Sequence, residues 1–208
     1  MWLVDALLPE FCVRCKGEGS VFCLRCQAAW WPEPDLASPR GVVQKHFSLG
    51  SYRDQVLQNL LRLWKYHSVA HAKDALLTIV RQTVGDYAPA IPPVEAVSFV
   101  PLHWRKRNER GFDQAEETAW AVAQALGVPC LSLIERTRYT AQQAQIDRAE
   151  RQAQEFHGVF APVAGVALPE SVLLVDDVWT TGTTISAAAE ALKAAGVKQV
   201  HAFTIAKG

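Results

Sequence analysis

One segment, residues 172–184, constrains the fold of this chain more than any other. Four apolar residues at 172–175 lead into two adjacent acids, Asp176 and Asp177, and a short run of small residues then opens an alanine-rich stretch. A short apolar run of this kind is typical of a buried strand in a parallel sheet. The order of strand, acid pair, loop and helix predicts an α/β domain with a ligand site at this strand end.

The loop after the acid pair has the composition of an anion site. Its members are Thr180, Thr181, Gly182, Thr183 and Thr184. At a helix N-terminus, backbone N–H groups and threonine hydroxyls donate to phosphate oxygens, and the helix dipole favours the negative charge. The acids cannot favour a phosphate, so they suit ribose hydroxyls or a Mg²⁺ shared with diphosphate oxygens. A plain helix cap is the alternative, which the uninterrupted order of features disfavours.

Strand-like and helix-like runs alternate from residue 42 onward. The pattern predicts strands at 42–49, 94–100, 131–135, from 159, 172–175 and 199–205, and helices at 54–66, 71–84, 112–126 and 184–195. It therefore predicts a mostly parallel sheet flanked by helices over residues 42–208. With 208 residues, half of them apolar, the chain has room for one such domain and a small appendage at 1–31. Three prolines and a glycine at 31–41 predict a linker.

A basic stretch follows the predicted strand at 94–100. It places four cations within six positions of a polar loop: Arg105, Lys106, Arg107 and Arg110. Arginine forks bind two phosphate oxygens at once, and cations are most effective where negative charge develops on a leaving group. The stretch is therefore predicted to bind a diphosphate, with a solvated basic turn as the alternative.

Four cysteines near the N-terminus form two C-x₂-C pairs, Cys12 with Cys15 and Cys23 with Cys26. This spacing predicts a structural zinc site with four thiolate ligands, whereas a redox role is disfavoured because such a pair occurs twice. The knuckle either stabilises a segment without a core of its own or contributes to binding single-stranded nucleic acid, since Trp30 and Trp31 adjoin cations. Cys130 is predicted to be a small core residue.

Composition excludes several classes of function. Lysine plus arginine equal aspartate plus glutamate at 21 each, so no overall field draws the molecule to nucleic acid or anionic membrane. No run approaches the ~20 apolar residues of a membrane span. The apolar N-terminus, broken at Asp5 and stopped at Pro9, lacks the positive flank of a secretory signal. The sequence predicts a cytosolic protein that does not insert into membranes.

Residues 172–184 resemble the signature of the type I phosphoribosyltransferases. Nearly the whole chain, in addition, resembles the ComF family of competence and DNA-utilisation proteins, which append a cysteine knuckle to a phosphoribosyltransferase-like domain. The matching features are the four cysteines, residues 63–66, 110–114 and 176–184, and a spaced pattern of Arg136, Thr140, Gln143, Ile146, Arg151, Gln154 and Phe160.

This resemblance implies a type I phosphoribosyltransferase-like fold that binds phosphoribosyl diphosphate with Mg²⁺. Asp176 and Asp177 would be the catalytic acids that hold the ribose, the loop at 180–184 would bind the 5-phosphate, and residues 137–155 would form a lid. Asp113 and Gln154 stand where the family has asparagine, and Ile146 where it has leucine. The replacements preserve size or polarity, but the polar ones alter the hydrogen-bond donors.

Two functions are consistent with these features. The first is a phosphoribosyltransferase acting in DNA uptake or utilisation. The second is a non-catalytic adaptor that senses phosphoribosyl diphosphate and handles single-stranded DNA with DNA-uptake proteins.

Lys65, after an apolar helical stripe, is either a ligand contact or a lysine whose stem lies along the core surface. The acceptor substrate is not specified by the sequence.

Overall fold

The computed structural model describes residues 10–39, 41–67, 69–137 and 158–208. Its strands are β1 (Asp35–Ala37), β2 (His46–Ser51), β3 (Ala96–Phe99), β4 (Ile134–Arg136), β5 (Phe160–Pro162), β6 (Ser171–Trp179) and β7 (Gln199–Lys207). Its helices are α1 (Leu24–Ala28), α2 (Gln55–His67), α3 (Ala70–Tyr87), α4 (Trp104–Arg110), α5 (Gln114–Leu126) and α6 (Thr183–Ala194). Among the described helices, none is long and apolar enough to cross a membrane.

Five strands form the central sheet in the order β1-β2-β7-β6-β3. All pairs are parallel except β1 with β2, and β4 with β5 forms a separate antiparallel ladder. The predicted α/β fold with a mostly parallel sheet and flanking helices is confirmed. The linker prediction was wrong in one respect, because residues 35–37 form the edge strand β1. Prolines are tolerated around such a short edge strand because its outer side needs no ladder hydrogen bonds.

Two apolar clusters cover the two faces of the sheet. One joins α2, α3 and α5 to sheet residues such as Leu173, Val175 and Phe203. The other joins α6 and the β4–β5 ladder to residues such as Val172 and Leu174. The alternation of 172 and 174 with 173 and 175 follows the strand geometry, in which successive side chains point to opposite faces. The sheet is therefore buried on both sides, as its apolar strand sequences predict.

The cysteine knuckle, residues 12–26, packs on this body and shares its core. Cys12, Val13 and Phe22 are buried in the same cluster as α2 and α3. A β-bridge joins Phe11, the residue before the knuckle, to Glu18, and α1 follows directly after Cys23. The knuckle is thus anchored to the helices that cover one face of the sheet.

Two local predictions about the site elements were wrong. The polar loop predicted after β3 is the helix α4, because His103 caps its first turn by accepting a hydrogen bond from Arg105 N, and Gly111 ends it in the left-handed region at φ 79°. Strand β6 also runs past the predicted end at Val175, because its pairing with β7 continues to Trp179 and Lys207. The predicted lid at 137–155 lies outside the described residues except for Thr137.

Candidate functional site

The threonine loop, residues 180–184, closes a pocket at the end of β6. The pocket lining includes Asp176 and Trp179, the whole threonine loop, and Thr204 of β7. Helix α6 begins at Thr183, and the hydroxyls of Thr181 and Thr183 lie 2.8 Å apart. The first-turn N–H groups of α6 and these hydroxyls therefore face the same pocket edge.

Gly182 is required in this loop for two reasons. Its φ of 77° lies in the left-handed region, where a side chain is strained. A Cβ at this position would also overlap the ring of Trp179. That ring stacks on His46 of β2, with centroids 4.2 Å apart and planes inclined by 24°. Trp179 therefore packs tightly between the loop glycine and the sheet.

His46 supports the loop from within the sheet. Its side chain is buried, and its Nε2 lies 2.8 Å from the Thr204 hydroxyl, which itself donates to Ala206 O at 3.2 Å. Since that hydroxyl has a single hydrogen, Nε2 of His46 acts as the donor to Thr204. Burial, and then the charge of Lys207, lower the pKa of His46 to about 4. The ring is therefore neutral near pH 7. Sequence reasoning missed His46, because its partners are distant in sequence.

The two acids lie on opposite faces of β6. Asp176 lines the loop pocket and pairs in register with Thr204, whereas Asp177 accepts from Lys65 of α2 at 2.5 Å on the other face. Burial, and then the charge of Asp177, raise the pKa of Asp176 to about 8. Burial opposes the charge of Lys65, but Asp177 outweighs that effect and raises the pKa of Lys65. The acid pair thus offers one carboxyl to each side of the strand.

Helix α4 distributes its cations over different neighbours. Lys106 and Arg110 are one helical turn apart, and burial followed by the charges of Arg110, Arg136 and Lys65 lowers the pKa of Lys106. Arg107 instead pairs with Glu116 at 2.8 Å, and Arg105 lies 5.3 Å from the ring of Trp104. Lys106 and Arg110 therefore lie within electrostatic range of Lys65.

Strand order brings the basic stretch to the acid pair. β3 is the neighbour of β6, with Phe99 paired to Val175 and Val100 N donating to Val175 O at 2.8 Å. Both strands run in the same direction, so α4 starts at the sheet edge where the acids lie. The structure thus brings together the acids, the threonine loop and part of the basic stretch, which are about 70 positions apart in sequence.

Asp113, at the position where the resemblance predicts asparagine, has a structural role here. One carboxylate oxygen accepts from Ala115 N and Glu116 N, at 3.0 and 3.4 Å, and the other accepts from Leu102 N at 2.8 Å. Burial raises the pKa of this carboxyl. Asp113 therefore caps α5 and ties it to the segment that leads into α4. The other two departures, Ile146 and Gln154, lie outside the described residues, as do Thr140, Gln143 and Arg151.

The four cysteines of the knuckle meet at one point. Their sulfur atoms all lie within 4.8 Å of one another, and Cys15 Sγ is 3.8 Å from Cys23 Sγ. A tetrahedral zinc with ~2.3 Å bonds requires sulfur separations of about 3.8 Å, so these residues fit that ion. Burial opposes the thiolate of Cys12, but three backbone N–H groups outweigh it and lower its pKa to about 6. Burial and the neighbouring thiols raise the pKa of Cys26 to about 12.

The two tryptophans after the knuckle are in different environments. Trp30 donates from its indole nitrogen to Asp54 at 2.9 Å and packs edge-on against Phe22. Trp31 is 43% exposed and borders a groove whose lining includes Asp74. Trp30 therefore has a structural role. Of the two tryptophans proposed to stack on the bases of single-stranded nucleic acid, Trp31 is the one with an exposed ring. Cys130 packs against the main cluster but is only partly buried, so it is not the fully buried core residue that was predicted.

Comparison with known proteins identifies the relatives of this chain. A family model described as a phosphoribosyl transferase domain matches residues 114–208. Competence protein ComFC of Streptococcus pneumoniae is 28% identical over 201 residues, which cover 95% of this chain and 81% of that protein. Competence protein F of Haemophilus influenzae is 24% identical over 203 residues, which cover 95% and 84%. The resemblance to the ComF family is confirmed, and so is the predicted phosphoribosyltransferase-like fold.

Similar solved structures include larger and smaller enzymes. Glutamine phosphoribosylpyrophosphate amidotransferase from B. subtilis, complexed with ADP and GMP, is 22% identical with a TM-score of 0.47; the match covers 69% of this chain and 30% of that one. Adenine phosphoribosyl transferase from Trypanosoma brucei is 11% identical with a TM-score of 0.40, and the match covers 84% and 87%. This chain spans less than a third of the amidotransferase.

Proposed function

We propose that this relative of the ComF competence proteins binds 5-phosphoribosyl 1-diphosphate together with Mg²⁺. One observation carries the proposal: a phosphate-type loop at the start of α6 shares a pocket with Asp176. The other acid, Asp177, pairs with Lys65, which lies within electrostatic range of the α4 cations Lys106 and Arg110. The hydroxyl and N–H donors of the loop match a phosphate, the carboxylates match a ribose, and the cations match a diphosphate.

Each part of the ligand has a proposed set of partners. The 5-phosphate would accept hydrogen bonds from the threonine loop, and the ribose hydroxyls would donate to Asp176 and Asp177. The diphosphate would contact the basic stretch, Arg105, Lys106, Arg107 and Arg110. Carboxylate oxygens are the ligands that Mg²⁺ prefers, so the acid pair fits the ion with the diphosphate completing its shell. When bound, Mg²⁺ would neutralise charge on the leaving group.

A transfer reaction would follow from this arrangement. The C1–oxygen bond breaks with its electron pair on the departing diphosphate, and an acceptor nucleophile forms the new bond to C1 and loses a proton. The fixed cations of α4 would stabilise the charge that develops on the diphosphate, and the carboxylates would stabilise the positive sugar. No covalent intermediate is required.

Calorimetric titration tests the binding step. Wild type should release heat on titration with phosphoribosyl diphosphate in the presence of Mg²⁺, and the double variant Asp176→Asn/Asp177→Asn should bind far more weakly. A matched control is Asp35→Asn, which removes a carboxylate paired with Lys207 at the sheet edge and should bind like wild type. Equal heats from wild type and the double variant would refute the assignment.

A second function, a ligand-sensing adaptor, is favoured by the names of the relatives, which are competence proteins. In this case the pocket binds the same ligand without turnover, and the protein acts with single-stranded DNA or DNA-uptake proteins. Diphosphate release measured against a panel of nucleobases and amines distinguishes the two functions. Release with any acceptor supports the transferase, whereas binding without release supports the adaptor.

The knuckle is proposed to hold one structural Zn²⁺ through Cys12, Cys15, Cys23 and Cys26. Four thiolates leave no open position for a substrate, so the role is to stabilise the fold. Such a site suits the reducing cytosol, where we place the protein. Metal analysis of protein purified without chelators should give about one zinc per chain, and absence of zinc would contradict the proposal.

A further inference from the structure

Lys65 lies where the acid pair and the basic stretch meet. It is near the end of α2, and its ammonium contacts Asp177 at 2.5 Å. The preceding residue, Trp64, is 2% exposed and stacks on Phe112 with ring centroids 6.2 Å apart. Because Phe112 directly follows Gly111, the C-cap of α4, the end of α2 packs on the segment that carries the basic stretch. This packing holds Lys65 beside both groups.

The surroundings of Lys65 carry more positive than negative charge. Arg110 lies close enough for its charge to oppose that of Lys65, and both act on Lys106. Arg110 donates to the neutral amide of Gln114, and within the described residues Lys106 has neither a hydrogen bond nor an ion pair. Arg136 adds a fourth positive charge, and Asp177 and Glu109 are the acids that oppose these cations. Asp176 also lies in range of Lys65, but its pKa of about 8 leaves it mostly protonated near pH 7. Positive charge is therefore in excess. Such an excess of donors is typical of a site for a polyanion.

We propose that Lys65 is a further ligand of the diphosphate group, and that Asp177 holds its ammonium in position until the ligand arrives. The inference rests on the proposed function and adds to it a residue from outside the basic stretch. On binding, the ammonium leaves the carboxylate and contacts a diphosphate oxygen. Asp177 then becomes available to the ribose or to Mg²⁺.

The chemistry of lysine suits this exchange of partners. Its ammonium is a compact charge on a flexible four-carbon stem, so it can move between two acceptors without displacing the helix. The pair is partly open to solvent, since the two side chains are 26% and 19% exposed. A half-buried ammonium without any acceptor would be costly, and the exchange leaves neither state with an unpaired charge.

Calorimetry with two probes tests the inference. The probes are phosphoribosyl diphosphate with Mg²⁺, and ribose 5-phosphate, which has the sugar and the 5-phosphate but no diphosphate. Lys65→Met should weaken binding of the first by about tenfold to a hundredfold, as expected for a charge-assisted hydrogen bond, and binding of the second by less than about threefold. Lys65→Gln, which keeps a polar end group, should behave in the same way.

Lys198→Met is the matched control, because it removes an equivalent lysine–carboxylate pair with Glu170 on the protein surface. It should leave both affinities unchanged. If wild type binds neither probe, the proposed function itself fails. If wild type binds and the Lys65 variants bind phosphoribosyl diphosphate equally well, only the role of Lys65 is refuted. Equal weakening of both probes would assign Lys65 a structural role instead.

Discussion

The neutral, buried state of His46 makes the free energy of unfolding depend on pH. Burial and Lys207 lower the pKa of His46 from 6.5 to about 4. Between these values the unfolded chain binds more protons than the folded one, so stability falls as the pH drops through this range and returns as it rises. From these two pKa values, the free energy of unfolding is about 2 kcal/mol lower at pH 5 than at pH 8.

The variant His46→Gln isolates this contribution. Its amide keeps a donor for the Thr204 hydroxyl but does not titrate. Both proteins are unfolded in urea at pH 8 and pH 5 at constant ionic strength. Contributions from His201, Asp176 and other groups occur in both proteins and cancel in the difference. Wild type should lose about 2 kcal/mol more than the variant over this interval. Equal losses would show that folding does not lower the pKa of His46.

Four further predictions concern the loop, the cap, the knuckle and Asp176. Gly182→Ala should lower the free energy of unfolding by roughly 2–4 kcal/mol through backbone strain and overlap with Trp179, whereas Gly85→Ala, with open space around its Cβ, should not destabilise. Asp113→Asn should cost roughly 1–3 kcal/mol in urea unfolding because an amide nitrogen would face Leu102 N, although asparagine is usual in the family; unchanged stability would contradict the cap. Removing zinc with a chelator should lower the melting temperature and reduce the protection of α2 and α3 against hydrogen exchange. Unchanged protection of these helices would contradict the conclusion that the knuckle stabilises the core. Binding of phosphoribosyl diphosphate with Mg²⁺ should release up to one proton near pH 7 and become tighter from pH 7 towards pH 9, because Asp176, with a pKa of about 8, must lose its proton on binding. Calorimetric heats that do not vary with the ionisation enthalpy of the buffer would refute this.

The threonine loop was predictable from sequence because its strand, acids, glycine and helix are contiguous. The cysteine site was predictable for the same reason, since ligand spacing within a short segment fixes the geometry. The positions of the four cations of the basic stretch were also evident, but not their conformation. The N-cap of α4 is a histidine, which is not among the usual capping residues, so the start of this helix carried no clear signal.

Features that depend on distant pairing were not predictable. The separation of Asp176 and Asp177 onto opposite faces requires β6 to continue to Trp179, which its partner β7 determines. The contact between Lys65 and Asp177 spans 112 positions, and that between His46 and Thr204 spans 158. A side chain's position along a helix or strand can be predicted locally, whereas its partner depends on how the elements assemble.

Phosphorus NMR of phosphoribosyl diphosphate, titrated with protein in the presence of Mg²⁺, tests the central claim most directly because it observes each phosphate of the ligand separately. The structure predicts that wild type shifts or broadens the 5-phosphate and both diphosphate resonances. Asp176→Asn/Asp177→Asn should largely abolish these changes, and Lys65→Met should reduce those of the diphosphate more than that of the 5-phosphate. Resonances that stay unchanged at protein concentrations above that of the ligand would contradict the proposed binding site.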